Sequence, residues 1–209
     1  MLKKRDKKGS HISFIISFLL FISFLIFFVS ILNPFEKVET GKSSLLKHLE
    51  NEIIKNVTAD VKIISALEDI NAGCGDINAL NIGNYASKQE ADFLKIYSSD
   101  EFAPQIFLCN PAQKGYKIGL IRNQNYVFES KILKLNKSYE DDYESLKKYF
   151  GIPETNDFEF SLLDIRESPI IKTNSKGAPK AEVLAGVIPV TYFNKTSEIE
   201  NGYIKVVLW

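Results

Sequence analysis

Histidine, the side chain most often used to move protons near neutral pH, occurs at two positions, His11 and His48. His11 stands at the start of a long apolar run and His48 within a helical stretch. A Ser-His-Asp set would therefore rest on His48 alone. Ser44-Leu-Leu-Lys47 has the S-x-x-K spacing of penicillin-binding enzymes, but the accompanying S-D-N and K-T-G triplets are absent. Gly41-Lys-Ser-Ser matches the end of a phosphate-binding loop, yet the leading glycine position holds Glu36 and no strand pattern precedes it. The sequence thus points to no catalytic residue and no cofactor, and a membrane-bound hydrolase built on His48 ranks last among the readings.

Metal chemistry is equally poorly supported. Two cysteines, Cys74 and Cys109, are too few for a structural zinc centre. Asp76, Asn78 and Asn81 echo a calcium loop, but Leu80 stands where a ligand is needed. Glu140, Asp141, Asp142 and Glu144 are denser, and a helix start explains acids there through the macrodipole. In an oxidising compartment Cys74 and Cys109 would form one disulfide, closing a loop of about 35 residues and contributing ~3 kcal/mol; two separate buried thiols are the alternative. Asn56-Val-Thr58, Asn136-Lys-Ser138 and Asn194-Lys-Thr196 are glycosylation acceptors if this part of the chain lies outside the cell.

The elements that would carry these residues begin with the apolar run. From Ile12 to Leu32 there is no charge, no glycine and no proline, and at 1.5 Å per residue the run reaches roughly 30 Å, the thickness of a bilayer core. It exceeds the apolar region of a secretory signal, and no A-x-A site follows it. Before it stand Lys3, Lys4, Arg5, Lys7 and Lys8 against Asp6, although the 209-residue chain has a formal net charge of zero. The positive-inside rule then places residues 1–11 in the cytoplasm as a basic leader, and residues 43–209 outside. No basic patch follows residue 11, so nucleic acid is not an expected partner. Ser13 and Ser17 form a small-xxx-small pair, a spacing that lets helices approach closely.

Asn33-Pro34 should stop the apolar helix, and residues 34–42 read as a connector. Leu45, Leu46, Leu49, Ile53, Ile54 and Val57 then form one helical stripe suited to covering a sheet. Val61, Ile63 and Leu67 alternate as a strand, residues 71–90 read as a glycine-punctuated loop, and "FLKIYSS" and "PQIFLC" as short strands. "YKIGLIR" and "YVFESKILKL" flank Asn-Gln-Asn as a hairpin, with Tyr116, Ile118 and Leu120 on one face. A helix capped by Ser138 runs to Gly151, with Tyr143, Leu146, Tyr149 and Phe150 buried. Phe158, Phe160 and Leu162 face inward. Residues 166–181 read as a polar loop, and the last strands as 183–193 and 203–209, with Pro189 at an edge or bulge. The expected fold is α+β: a transmembrane helix over 12–33, then an amphipathic helix packed on a mostly antiparallel sheet or sandwich.

A short basic leader ending in Lys8-Gly9, followed by some twenty apolar residues and an external strand-rich domain, resembles the archaeal type IV pilin-like proteins with class III signal peptides. Phe14 stands where bacterial members carry a glutamate. The resemblance implies that a prepilin-type peptidase cuts between Gly9 and Ser10 on the cytoplasmic side, with Lys8-Gly9 as the leader end and Ser10 as the mature N-terminus. It implies that residues 12–32 leave the bilayer to pack against other pilin-like subunits, making the protein a structural or adhesive subunit of a surface filament. The alternative is an uncleaved, single-span anchored binding or assembly protein.

Overall fold

A computed structural model describes residues 13–28, 41–69, 82–90, 93–104, 115–177 and 183–209, together with the backbone of the first helix over its whole length. The chain divides into two compact units, Met1–Ser44 and Leu45–Trp209. The first is built on α1 (Lys8–Leu32); the stop expected at Asn33-Pro34 lies outside the described residues. Every described side chain from Ser13 to Phe28 is exposed. Among the described residues no helix is long and apolar enough to cross a membrane. The backbone is helical over Lys8–Leu32, but the membrane span expected over 12–33 is not supported.

The second unit is an eight-stranded curled sheet with helices on one face. Its elements follow α2 (Gly41–Val57): β1 (Thr58–Asp69), β2 (Tyr85–Glu90), β3 (Phe93–Ser98), β4 (Gly115–Phe128), α3 (Glu129–Asp141), α4 (Tyr143–Tyr149), β5 (Phe158–Asp164), β6 (Pro169–Lys172), β7 (Leu184–Phe193) and β8 (Ile199–Leu208). The strand order is β2-β3-β1-β4-β7-β8-β5-β6. All neighbours are antiparallel except β4 and β7, which meet in parallel only at Val127–Tyr192 and Phe128–Phe193. Two antiparallel half-sheets are thus joined at one short seam, a single sheet in place of a sandwich. Pro189 lies on the stretch of β7 that β8 alone pairs, where a missing N–H costs no ladder bond.

The amphipathic stripe of α2 is buried at Leu49, Ile53 and Val57. It packs with Phe158, Phe160, Leu162, Ile204, Val206 and Leu208 from alternate positions of β5 and β8. The helix runs into β1 without a loop, and the Thr58 hydroxyl donates to the Ile54 carbonyl at 2.9 Å. A second core, largely aromatic, gathers Tyr97, Phe102, Tyr126, Phe128 and Phe193 around the seam. Burial holds the phenols of Tyr139, Tyr143 and Tyr192 well above their usual range, so they remain protonated donors. Tyr139 donates to the Phe158 carbonyl at 2.7 Å and Tyr192 to Glu200 at 2.7 Å. The C-terminus is pinned: Asp157 and Trp209 exchange both backbone bonds at 2.9 Å.

Several expectations are corrected. The hairpin around Asn-Gln-Asn is instead one fourteen-residue strand, β4, which leads straight into α3. Ile64 pairs with Ile121 but Ala66 with Ile118, so two β4 residues oppose Ser65 in a bulge. The bulge turns Leu120 out of the face it was expected to share with Tyr116 and Ile118, leaving it 64% exposed. Gly119 fits there because a Cβ would lie 3.3 Å from the Ser65 carbonyl oxygen. The helix expected to start at Ser138 is two helices. Ser138 lies inside α3, its hydroxyl bonded back to Lys134, and the cap is Asp142, which accepts from the Ser145 amide at 3.1 Å. Tyr149, expected to be buried, is 65% exposed. Leu67 is exposed, while Val61 and Ile63 are buried as expected. The loops expected over 71–90 and 166–181 contain β2 and β6. The "PQIFLC" strand lies mostly outside the described residues.

Candidate binding surface on the open sheet face

Helices α2, α3 and α4 supply buried residues to one side of the β7-β8-β5-β6 half-sheet. Strand alternation sends Glu159, Ser161 and Leu163, and Tyr203, Lys205 and Val207, to the opposite side. Cross-strand register sets these residues in rows. Lys172, Ser161, Lys205 and Val187 form one row; Pro169, Leu163, Tyr203 and Pro189 form the next. A depression of about 280 Å³ lies over all of these except Pro189, edged by Glu159 and by Glu167 from the β5–β6 turn. That turn is held by Asp164, whose carboxylate accepts the Arg166 and Ser168 amides at 2.8 Å each, and Glu167 takes a φ of 63°.

Ser161 is the one polar residue of the depression that is buried, at 8% exposure. Among the described residues its hydroxyl has no hydrogen-bond partner, and neither do the charged groups of Lys172, Lys205, Glu159 and Glu167 or the Tyr203 phenol. Lys172 and Lys205 are the direct cross-strand neighbours of Ser161 on either side, which puts their backbones roughly 10 Å apart. The surface therefore offers two ammonium groups flanking a hydroxyl, a phenol beside an apolar row, and two carboxylates at the rim. A second hollow of about 310 Å³ lies where Ala86, Ser87 and Lys88 of β2 face the β7–β8 turn.

The residues singled out from the sequence are scattered. The Lys8-Gly9-Ser10 backbone lies in the first turns of α1, its side chains outside the described residues. Ser13 and Ser17 are exposed on α1, four residues apart and so on one face. Cys74 and Cys109, and Asp76, Asn78 and Asn81, lie outside the described residues. Asn56 donates to the Glu52 carbonyl and accepts from Tyr149. Asn136 lies within α3, its Oδ1 buried and unpartnered among the described residues. Asn194 organises the β7–β8 turn, accepting from the Thr196 and Glu198 amides at 2.9 Å each and donating to Glu200 at 2.6 Å. The His48 ring sits 3.0 Å from the Phe150 carbonyl, bracing the end of α4.

The acidic run is structural in its contacts. Glu140 accepts the Asn174 amide and Lys176 and is held below the usual carboxylate range chiefly by that backbone bond. Asp142 is lowered chiefly by its bonds to Ser145. Among the described residues no three acids, histidines or cysteines converge to hold a metal ion.

The sequence marks 203–209 as a strand, whose alternation sets Tyr203, Lys205 and Val207 opposite Ile204, Val206 and Leu208. Sequence reasoning missed the row through Ser161 because β6, which brings Lys172, read as loop. No family model, characterised protein or solved structure matches the chain.

Proposed function

We propose that this protein is a structural or adhesive envelope subunit, held by α1 and presenting its sheet domain outside the cell as a pilin-like component of a type IV pilus-like filament. The observation that carries the proposal is the surface of α1. From Phe14 to Phe28 its apolar side chains are exposed on every side of the helix, Phe14 at 72%, Leu20 at 65% and Ile26 at 63%. A helix apolar all round needs an apolar surround, either a bilayer or neighbouring helices. Lys8, Gly9 and Ser10 stand at its start, where a prepilin-type peptidase would act.

The test is the intact mass and N-terminal sequence of the protein isolated from its native membrane. Loss of residues 1–9 supports the filament reading, and Gly9→Val should then abolish processing. A retained leader in the wild-type chain rejects that reading in favour of a permanently anchored binding protein.

A further inference from the structure

We propose that the open face of β5, β6 and β8 binds a sugar carrying one carboxylate, a hexuronate, with the acid between Lys172 and Lys205 and the ring over Leu163 and Tyr203. The site stands whether or not Gly9–Ser10 is cut.

Three observations select this ligand. Ser161, 8% exposed and unpartnered among the described residues, lies between two lysines on the neighbouring strands. A planar carboxylate can accept from both ammonium groups and from the hydroxyl, and such charge-assisted bonds are the strong class. Beside this row, Pro169, Leu163 and Tyr203 present apolar surface with a phenol at its edge, which suits the C–H face and hydroxyls of a pyranose. Glu159 and Glu167 at the rim are acceptors only. They match the O–H donors of a sugar and repel any second negative charge. A compact dianion such as phosphate, or a polyanion, is disfavoured by the same two groups that favour a hydroxylated monoanion. The volume of about 280 Å³ is at the small end for ligand sites, the scale of a monosaccharide.

The full-length protein in detergent micelles is titrated calorimetrically with glucuronate, galacturonate, glucose and inorganic phosphate. Saturable binding of at least one hexuronate is expected, with glucose and phosphate each weaker by about tenfold or more. Lys172→Met and Lys205→Met, both at exposed positions, should each weaken hexuronate binding about tenfold, and Ser161→Ala about fivefold. Glu159→Gln should raise phosphate affinity relative to hexuronate. Absence of hexuronate binding, equal binding of phosphate by the wild type, or hexuronate binding indifferent to both lysines would each overturn the proposal.

Discussion

Gly202 shows how tightly single positions are set. A Cβ there would lie 2.3 Å from the Leu163 carbonyl oxygen, a backbone atom that cannot swing aside, and 3.2 Å from the Tyr192 ring. Gly202→Ala should cost about 1–3 kcal/mol by urea unfolding. Gly186→Ala is the control, because the atoms nearest its Cβ would belong to the flexible Glu50 side chain, which can turn away. Its cost should be clearly smaller. Gly151 is demanding for another reason: its φ of 67° ends α4, with the Gly151 and Ile152 amides returning to Lys148 and Lys147. Gly151→Ala should cost about 1 kcal/mol through backbone strain.

The acids near residue 140 give a signed pH dependence. Glu140 and Asp142 both have folded-state pKa values below their unfolded ones. Their contribution is complete above the unfolded carboxylate range and disappears as pH falls through the lowered folded values. Stability should therefore fall below about pH 4. Urea midpoints for Glu140→Gln and Asp142→Asn should drop at neutral pH and show a shallower acid limb than wild type. An unchanged limb would remove these two groups from the acid response.

At the scale of elements, the bulge in β4 has measurable consequences. Ile64, fully buried, faces the small core with Ala66, Leu94 and Ile96, whereas Leu120 points outward. Ile64→Ala should cost about 2–5 kcal/mol, and Leu120→Ala no more than about 0.5 kcal/mol. The reverse order would mean that β4 pairs without the bulge. The same region shows what a sequence can carry. The stripe of α2 and the alternation of β5 and β8 were legible because each obeys one period from end to end. β4 was not, because the bulge breaks its period of two partway along. The start of α3 was hidden as well: Phe128 precedes it with no side-chain cap, so the customary Ser, Thr, Asp or Asn signal is missing. Glu129 occupies its first turn instead, buried and accepting the Lys195 amide at 3.0 Å. Ser138, which looked like a cap, bonds back into its own helix. Half of the candidate site was readable from β5 and β8. The flanking Lys172 needed the long-range pairing of β5 with β6, which no local pattern encodes.

For the whole molecule, the division at Ser44 and Leu45 implies that the sheet domain carries its own stability. Its cores draw on residues from Leu45 onward. A fragment of residues 41–209, which keeps α2 intact, should fold without detergent. Its urea midpoint should match that of the full-length chain in micelles. Failure of the fragment to unfold cooperatively would show that residues 1–40 contribute to the domain.

The direct passage from α2 into β1 also decides how this domain would bear a load. Once α2 is drawn off its core contacts at Leu49, Ile53 and Val57, tension passes into β1 at Thr58 with no loop between. β1 is held by β4 from Thr58–Val127 to Asp69–Gly115 and by β3 from Lys62–Ser98 to Leu67–Phe93. Antiparallel bonds lie across the strands, so a pull along β1 strains both ladders in shear, many bonds at once, instead of peeling them one by one. Load that reaches β1 along its own axis therefore meets the full length of two antiparallel ladders at once.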